Sequence, residues 1–137
     1  MSRMMIGELA KRTGTKVNTI RFYEAIGLMH PAERTSSGRR TYDQSDLERL
    51  RFIRRSRRLG FDIDEIRSLL ALSEQPEREC AAVTEIALHH LAEVNEKISQ
   101  LELLRDELSR VARLCAGGTV SRCRILEAMA VPEQAAR

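Results

Sequence analysis

The longest run of regularly spaced apolar residues extends from about residue 79 to residue 114, and neither glycine nor proline interrupts it. Its apolar side chains recur at steps of three and four, which places them along one face of a helix. They are Val83, Ala87, Leu91, Val94, Ile98, Leu101, Leu108 and Ala112. Because a lone helix has no core of its own, this stripe predicts a coiled-coil seam whose partner is most simply a second copy of the chain.

Shorter amphipathic segments come before this helix. Residues 6–13 predict a helix that ends at Gly14, and residues 17–25 predict a second helix capped by Thr15. The residues expected to face inward on the second helix are Val17, Ile20 and Phe22. Two short helices joined by a glycine-containing turn form a helix-turn-helix, whose second helix can present side chains to phosphates and base edges. Those expected on its outer side are Lys16, Asn18, Thr19, Arg21 and Tyr23.

The next segment is polar and predicts a small hairpin, or wing. Residues 35–38 supply the turn signal, and the arms on either side carry cationic and amphipathic side chains suited to the edge of a nucleic-acid groove. These are Arg34, Arg39, Arg40 and Tyr42. An ordinary basic loop is the alternative.

Two further helices are expected before the long one. The first covers about residues 45–59, is capped by Asp43 or Ser45, and stops at Gly60, whereas the second begins at Asp62. Their apolar sides are expected to consist of Leu47, Leu50, Ile53 and Leu59, and of Ile63, Ile66, Leu69 and Leu70.

The formal net charge is only +3, but it is unevenly distributed. Residues 1–72 contain 15 Lys and Arg against 9 Asp and Glu, whereas residues 73–137 contain 8 against 11. Arginines on the predicted third helix would neutralise phosphates and give salt-sensitive affinity for nucleic acid, although a solvated helix face is the alternative. They are Arg49, Arg51, Arg54, Arg55, Arg57 and Arg58.

Composition narrows the class of protein. Hydrophobic residues make up 42% of the chain and aromatic residues 4%, a balance that favours helices. No apolar run approaches the roughly 20 residues of a membrane span, and no secretory signal is apparent, so a cytoplasmic protein without membrane contact is expected. An enzyme is not expected, because neither a Cys-His-Asn/Asp arrangement, a phosphate loop nor a paired-carboxylate pocket can be identified.

The spacing of the three cysteines points to metal binding by a dimer. Cys80 and Cys115 are 35 residues apart, and Cys123 follows eight residues later. A continuous helix would hold Cys80 and Cys115 roughly 50 Å apart, too far for one ion. Two antiparallel chains paired near Lys97 and Ile98 would instead bring Cys80 of one chain beside the two later cysteines of the other. Buried cysteines that pack as small hydrophobes are the alternative.

Several motifs together resemble the MerR family of bacterial transcription activators, over nearly the whole chain. They are Ile6-Gly7-Glu8-Leu9-Ala10, Thr19-Ile20-Arg21-Phe22-Tyr23-Glu24, Gly27-Leu28, Gly38-Arg39-Arg40-Thr41-Tyr42, Leu59-Gly60-Phe61 and Ile63-Asp64-Glu65-Ile66. The resemblance implies a mainly α fold: a winged helix-turn-helix, a long antiparallel coiled-coil dimerisation helix and a C-terminal metal-binding loop. It also implies a homodimer that binds a palindromic promoter operator and bends and untwists it for RNA polymerase when an inducer binds.

The resemblance assigns roles to particular residues. By resemblance to the family, the residues that contact DNA are Lys16, Thr19, Arg21 and Tyr23 on the recognition helix, and Arg40 and Tyr42 in the wing. Arg54 is expected to contact the DNA backbone. The metal ligands are Cys115 and Cys123, which flank a loop, and Cys80, where sensors of monovalent copper carry serine.

The number of thiolates bears on which metal is the inducer. Two thiolates suffice for Cu(I), whereas a third suits Hg(II), Pb(II), Cd(II) or Zn(II). Zn(II) normally takes a fourth ligand, and His89 and His90 lie more than two turns beyond Cys80, so they are interpreted as core or surface residues. A short loop without histidine resembles the copper branch. A Cu(I) regulator, or a redox or organic-ligand regulator on the same scaffold, therefore stays open beside the leading interpretation.

The leading interpretation is a transcription regulator induced by a divalent soft metal. Residues 1–75 would form the DNA-binding domain and residues 76–114 the dimerisation helix. Residues 115–130 would form the metal-binding loop with a short closing helix near residues 125–129, and residues 131–137 a tail.

Overall fold

The computed structural model of the chain describes residues 3–114 and 117–132, which form six α-helices and a two-stranded wing. The described residues divide into two compact units between Ile86 and Ala87. The helices and strands in chain order are α1 (Ile6–Thr13), α2 (Val17–Ala25), β1 (Glu33–Arg34), β2 (Arg40–Thr41), α3 (Gln44–Arg58), α4 (Ile63–Ser73), α5 (Ala81–Ala112) and α6 (Arg124–Ala130). The mainly helical architecture, with a helix-turn-helix, a wing and a long helix, is confirmed.

A hydrophobic core holds the first unit together. Helix α1 packs on both α2 and α3, and α3 packs on α4, so the apolar faces of all four helices converge. The largest fully buried side chains are Tyr42, Leu9, Ile20, Leu28, Met29, Leu50, Ile53 and Ile66. The apolar positions expected at the centres of these helices therefore form the core that holds the helix-turn-helix and the wing in place.

The turn between α1 and α2 depends on Gly14. Its φ of 64° lies in the left-handed region that side chains with a Cβ rarely adopt, and its amide donates to the Ala10 carbonyl. The expected cap of α2 is wrong: Lys16, not Thr15, occupies the N-cap position, and no side chain caps this helix. Thr15 is instead buried, with its amide bonded to the Ala10 carbonyl.

Two neighbouring aromatic residues of α2 exchange the orientations expected for them. Phe22 was expected to face inward, but it is 53% exposed, whereas Tyr23, expected outward, is 9% exposed. The reason is the helical period: Tyr23 lies three residues after the buried Ile20 and shares its face, whereas Phe22 lies two residues after it. The Tyr23 carbonyl also accepts the amides of Leu28 and Met29, which closes the turn after α2.

The wing is tied to the chain on both of its sides. β1 and β2 pair antiparallel, with Glu33 opposite Thr41, and an isolated bridge joins Met4 to Tyr42 by two amide-to-carbonyl bonds of 2.8 Å. The guanidinium of Arg3 donates to the Thr41 hydroxyl at 2.9 Å and to its carbonyl at 3.2 Å. The predicted hairpin is confirmed, and its second strand is anchored rather than loose.

Helices α3 and α4 both begin at a capping box. Asp43 accepts the Asp46 amide, while the Asp46 side chain accepts the Asp43 amide; Asp62 and Glu65 repeat the arrangement at α4. Such pairs satisfy two otherwise unpaired amides at a helix start. A hydrogen bond from Ser45, and then one from the Asp46 amide, lowers the pKa of the Asp43 carboxyl below its ordinary value. Of the two caps considered for α3, Asp43 is therefore the one used.

The C-terminal end of α3 departs from expectation at Leu59. This residue was assigned to the apolar side of the helix, but it is 60% exposed. Leu59 is the C-cap, and the chain then turns through Gly60, whose φ is 86°. Phe61, whose amide bonds to the Ser56 carbonyl, is buried beyond the turn.

Helix α5 is one continuous element of 32 residues, close to the expected span of about 79–114, and it contains no buried residue. Most of its apolar side chains are exposed in the single chain, including Leu91 at 51%, Ile98 at 46%, Leu101 at 63% and Leu108 at 67%. None of the helices in the described part of the chain combines the length and apolar character that crossing a membrane requires. After α5, residues Val120–Arg122 form a 3-10 turn that leads into α6.

Candidate nucleic-acid interface and cysteine positions

A basic groove lies beside the turn of the helix-turn-helix. It has a volume of about 520 Å³ and is lined by Gly14, Thr15, Lys16, Thr19, Tyr23, Arg54, Arg57 and Arg58. Four of the DNA-contacting candidates, Lys16, Thr19, Tyr23 and Arg54, thus share one concave surface. Four cationic side chains and no carboxylate line it, so the groove suits a polyanion such as a nucleic-acid backbone.

A second group of cations lies between the C-terminal half of α2 and the wing. Two cavities of about 300 Å³ each meet there, and both are lined by Arg21, Arg34 and Arg40. Arg39 lines one of the two, and Glu24 the other. The structure therefore brings the recognition-helix candidate Arg21 and the wing candidate Arg40 together.

Two arginines of α3 make bonds within the first unit. Arg49 donates to the Leu28 carbonyl at 2.7 Å and pairs with Glu74 at 3.0 Å, and Arg57 donates to the Phe61 carbonyl at 3.0 Å. Arg57 also lines the basic groove, whereas Arg49 does not, so the six arginines of α3 do not form a single surface.

Arg54 combines a structural bond with a place in the basic groove. Its guanidinium donates to the Gly14 carbonyl, and a Cβ added to Gly14 would lie 3.4 Å from its Nη2 atom. Arg54 therefore fixes the turn between α1 and α2 while it also lines the groove.

Tyr42 cannot present its side chain to DNA in this structure, which corrects its assignment as a wing contact. Its exposure is 0%, and its hydroxyl donates to Glu24 Oε1 at 2.7 Å. A large aromatic ring is stable in a core when its hydroxyl finds a partner, and Glu24 supplies one. Burial, and then the hydrogen bond to Glu24, raises the pKa of Tyr42 above its ordinary value of 10.0.

Replacing Tyr42 by phenylalanine should lower the free energy of unfolding by about 2 kcal/mol, because hydrogen bonds to charged groups contribute about 1.5–3 kcal/mol. Urea unfolding at pH 7 measures this loss. Tyr23→Phe, which removes the other phenol of the chain, is the matched control and should cost less than about 0.5 kcal/mol. Equal losses in the two variants would contradict the role given to the Tyr42 hydroxyl.

The same bond gives stability a dependence on alkaline pH. Since the pKa of Tyr42 is raised in the folded state, the unfolded chain releases this proton first as the pH rises. The contribution is therefore fully present below about pH 10 and is lost progressively above it. Between about pH 10 and pH 11.5 the free energy of unfolding of the wild-type protein should fall more steeply than that of Tyr42→Phe, by up to about 1.4 kcal/mol per pH unit.

The two described cysteines both lie where a helix begins. Cys80 is exposed, immediately precedes α5, and accepts the Thr84 amide at its carbonyl, at 2.9 Å. Cys123 is half-buried at the N-cap position of α6. Cys115, the third candidate ligand, lies outside the described residues. The expected short closing helix near residues 125–129 is confirmed as α6.

The two histidines of α5 are engaged with an acidic neighbour. His89 is 71% exposed and its Nε2 lies 3.0 Å from Glu93 Oε1, whereas the His90 side chain is 12% exposed with Nδ1 4.0 Å from Glu93 Oε2. Across residues 3–114 and 117–132 of one chain, no group of three or more His, Cys, Asp or Glu side chains is arranged to hold a metal ion.

Comparison with known proteins identifies the family. The family description "MerR HTH family regulatory protein" matches residues 4–73, and "MerR, DNA binding" matches residues 47–111. The chain belongs to the MerR family. As a MerR protein it is a DNA-binding transcription regulator and not an enzyme.

Relatives of this MerR protein include regulators named for metals. The chain is 42% identical to a probable heavy metal-dependent transcriptional regulator of Haemophilus influenzae, over 92% of this chain and 98% of the relative. It is similar to the lead(II)-bound transcription regulator PbrR691 of Ralstonia metallidurans, with 41% identity, a TM-score of 0.81, and coverage of 93% and 99%. The mercury(II)-bound MerR of Bacillus megaterium is 29% identical, with a TM-score of 0.68 and coverage of 92% and 98%.

Glu24 is the residue of this interface that sequence reasoning missed. It is the one acidic residue of a helix that is expected to bind a polyanion, and it lies three residues after Arg21. Since residues three apart share a helix face, that conflict of charge was the available signal.

Proposed function

We propose that this MerR protein is a metal-responsive transcription regulator that binds a palindromic promoter operator as a homodimer. When a divalent soft metal binds its cysteine thiolates, the dimer distorts the DNA and RNA polymerase can start transcription. The observation that carries the proposal is the position of the cysteines: Cys80 immediately precedes a 32-residue helix, and Cys115 and Cys123 follow it.

The exposed stripe of α5 supports the dimer. At about 1.5 Å per residue the helix is roughly 48 Å long, and none of its residues is buried in the single chain, with seam residues such as Leu91, Leu101 and Leu108 more than half exposed. Apolar surface gains roughly 25 cal/mol per Å² when it leaves water, so the stripe favours a partner. A second copy placed antiparallel would cover it with an identical stripe.

The donor set supports a soft metal. Thiolate sulfur prefers soft ions, and three thiolates carry more charge than a monovalent ion needs. The Cys80 backbone already accepts the first helical bond of α5, and the start of a helix favours a negatively charged group. The described residues of one chain supply no cluster of three ligands, so the proposed site needs the second copy and Cys115. Such a site would hold Cd(II), Pb(II), Hg(II) or Zn(II).

The proposed DNA interface comprises the basic groove and the cations between α2 and the wing. Lys16, Thr19 and Arg54 line the groove, with the edge of Tyr23 at its wall, and Arg21 and Arg40 lie at the second surface. Tyr42 belongs to this interface only as a buried support. We assign DNA binding to residues 1–75, dimerisation to residues 76–114, and metal binding to residues 115–130, with residues 131–137 as a tail.

The test is in vitro transcription paired with a DNA-binding titration. Metal-free protein is titrated with Cd(II), Pb(II), Hg(II), Zn(II) and Cu(I) on a promoter that carries its operator, with RNA polymerase present. A divalent soft ion should raise transcription many-fold while operator affinity changes little. A response to Cu(I) alone would favour the copper alternative. Protein that takes up none of these ions would instead favour a redox or organic-ligand regulator.

A further inference from the structure

The carboxylate of Glu24 lies where the recognition helix meets the wing. It belongs to the last turn of α2, and its side chain is 10% exposed. One oxygen accepts the Tyr42 hydroxyl at 2.7 Å, and the other lies 3.7 Å from Nε of Arg40. Both partners come from the second arm of the wing, so a single carboxylate joins α2 to that arm.

The surroundings of this carboxylate are strongly cationic. The cavity of about 300 Å³ that it lines also contains Arg21, Arg34 and Arg40. An acidic side chain at a polyanion-binding surface would weaken binding by repulsion if it pointed outward. Here one oxygen accepts the Tyr42 hydroxyl, the other faces the Arg40 guanidinium in an ion pair of 3.7 Å, and the side chain is only 10% exposed, so little of the carboxylate remains open to accept a bond from cytosine.

The contact with Arg40 leaves part of its guanidinium available. The ion pair is made through Nε, and within the described part of the chain the two terminal nitrogens donate no hydrogen bond. The side chain is 37% exposed. A guanidinium that is held at its inner nitrogen keeps its outer donors in one orientation, which lowers the ordering cost of a later bond to DNA.

We infer that Glu24 is a positioning residue for DNA recognition, which holds Arg40 and the wing at a fixed orientation to the recognition helix without touching DNA itself. This inference rests on the proposed DNA contact of Arg40. Tyr42 supports this role, because its hydroxyl binds Oε1 of Glu24 and so leaves Oε2 facing Arg40. An anchored wing strand, tied on its other side by Arg3, is consistent with that task.

The experiment compares affinity for two DNA duplexes at one fixed salt concentration, because phosphate contacts alone make affinity depend on salt. The first duplex is selected from a randomised library by the full-length wild-type protein. The second has the same base composition with its half-sites scrambled. The quantity measured is the ratio of the two dissociation constants, which reports discrimination and not charge.

Glu24→Gln should lower this ratio about tenfold, because one well-oriented contact contributes about 1–3 kcal/mol of discrimination. Glutamine keeps a partner for Tyr42 but loses the charge that holds Arg40. Glu48→Gln, which removes the same charge from an exposed position on α3, should change the ratio less than about twofold. If Glu24 merely repels DNA, both affinities rise together in Glu24→Gln, and an unchanged ratio overturns the inference.

Arg40→Ala separates this inference from the interface on which it rests. In an Arg40→Ala background the cationic partner of Glu24 is gone, so Glu24→Gln should have little further effect, and an undiminished tenfold loss overturns the inference. If Arg40→Ala leaves operator affinity unchanged, the proposed contact of Arg40 with DNA fails as well. If circular dichroism shows that Glu24→Gln does not fold, Glu24→Asp carries the same expectation with a smaller loss, and an unchanged ratio there is equally decisive.

Discussion

Serine in place of Cys80 is expected to abolish the transcriptional response to divalent soft metals and to leave operator binding intact. A hydroxyl is a poor ligand for a soft ion, so the proposed three-thiolate site would become a two-thiolate site. Since groups outside the ligand shell already change metal affinity about 10–100-fold, removal of a ligand should cost at least about 100-fold. Metal competition titration and in vitro transcription, performed on the same preparation, measure the two effects.

Cys80→Ser also discriminates between the candidate metals. A two-coordinate Cu(I) site needs only Cys115 and Cys123. A variant that still responds to Cu(I) but not to divalent ions would therefore show that divalent ions need the negative charge of the Cys80 thiolate. Glu79→Gln, beside Cys80 and equally exposed, is the matched control and should respond as the wild type does. A full divalent response in Cys80→Ser would remove this residue from the site.

The local architecture was predictable because its signals are short-range. Helix α1, with Gly14 at its end, followed from spacing and a glycine, and the start of α3 followed to within two residues from the two capping candidates, Asp43 and Ser45, before an amphipathic run. Such signals depend on a few neighbouring residues and on the helical period, which the sequence displays directly.

The errors have two origins. Phe22 and Tyr23 are neighbouring aromatic residues, and the error there was local, because the helical period places Tyr23, and not Phe22, on the face of the buried Ile20. Tyr42 looks like a surface wing residue until its partner Glu24 is known, 18 positions earlier in the chain. Pairings between distant side chains have no local signature, which is why the carboxylate between α2 and the wing could not be found from spacing.

The cysteine hypothesis is of a different kind, because it concerns two chains. The hypothesis depends on the distance between Cys80 and Cys115 in one chain. Because α5 runs without a break for 32 residues between them, a rigid helix separates these two positions along the chain. How metal binding changes the orientation of the DNA-binding units depends on contacts between protomers, which no property of the isolated helix specifies.

A single charge at the centre of α5 should have an equally large effect on DNA binding. In an antiparallel pair centred near residues 97 and 98, Ile98 lies close to its own counterpart, so Ile98→Glu would bring two carboxylates together inside the seam. Burying like charges that have no partner is strongly unfavourable. Without the dimer each half-site binds alone, and operator affinity should fall at least about 100-fold, within the range that bivalency contributes.

The matched control for this substitution is Ser99→Glu, which adds the same charge one residue later. Ser99 is exposed and lies about 100° around the helix from Ile98, away from the seam. Sedimentation equilibrium should report a dimer for Ser99→Glu and a monomer for Ile98→Glu, and operator titrations should follow the same order. An Ile98→Glu protein that remains dimeric and binds its operator as tightly as Ser99→Glu would refute the antiparallel seam. The shared metal site would then lose the geometry on which it depends, because Cys80 of one chain would no longer be expected beside Cys115 and Cys123 of the other.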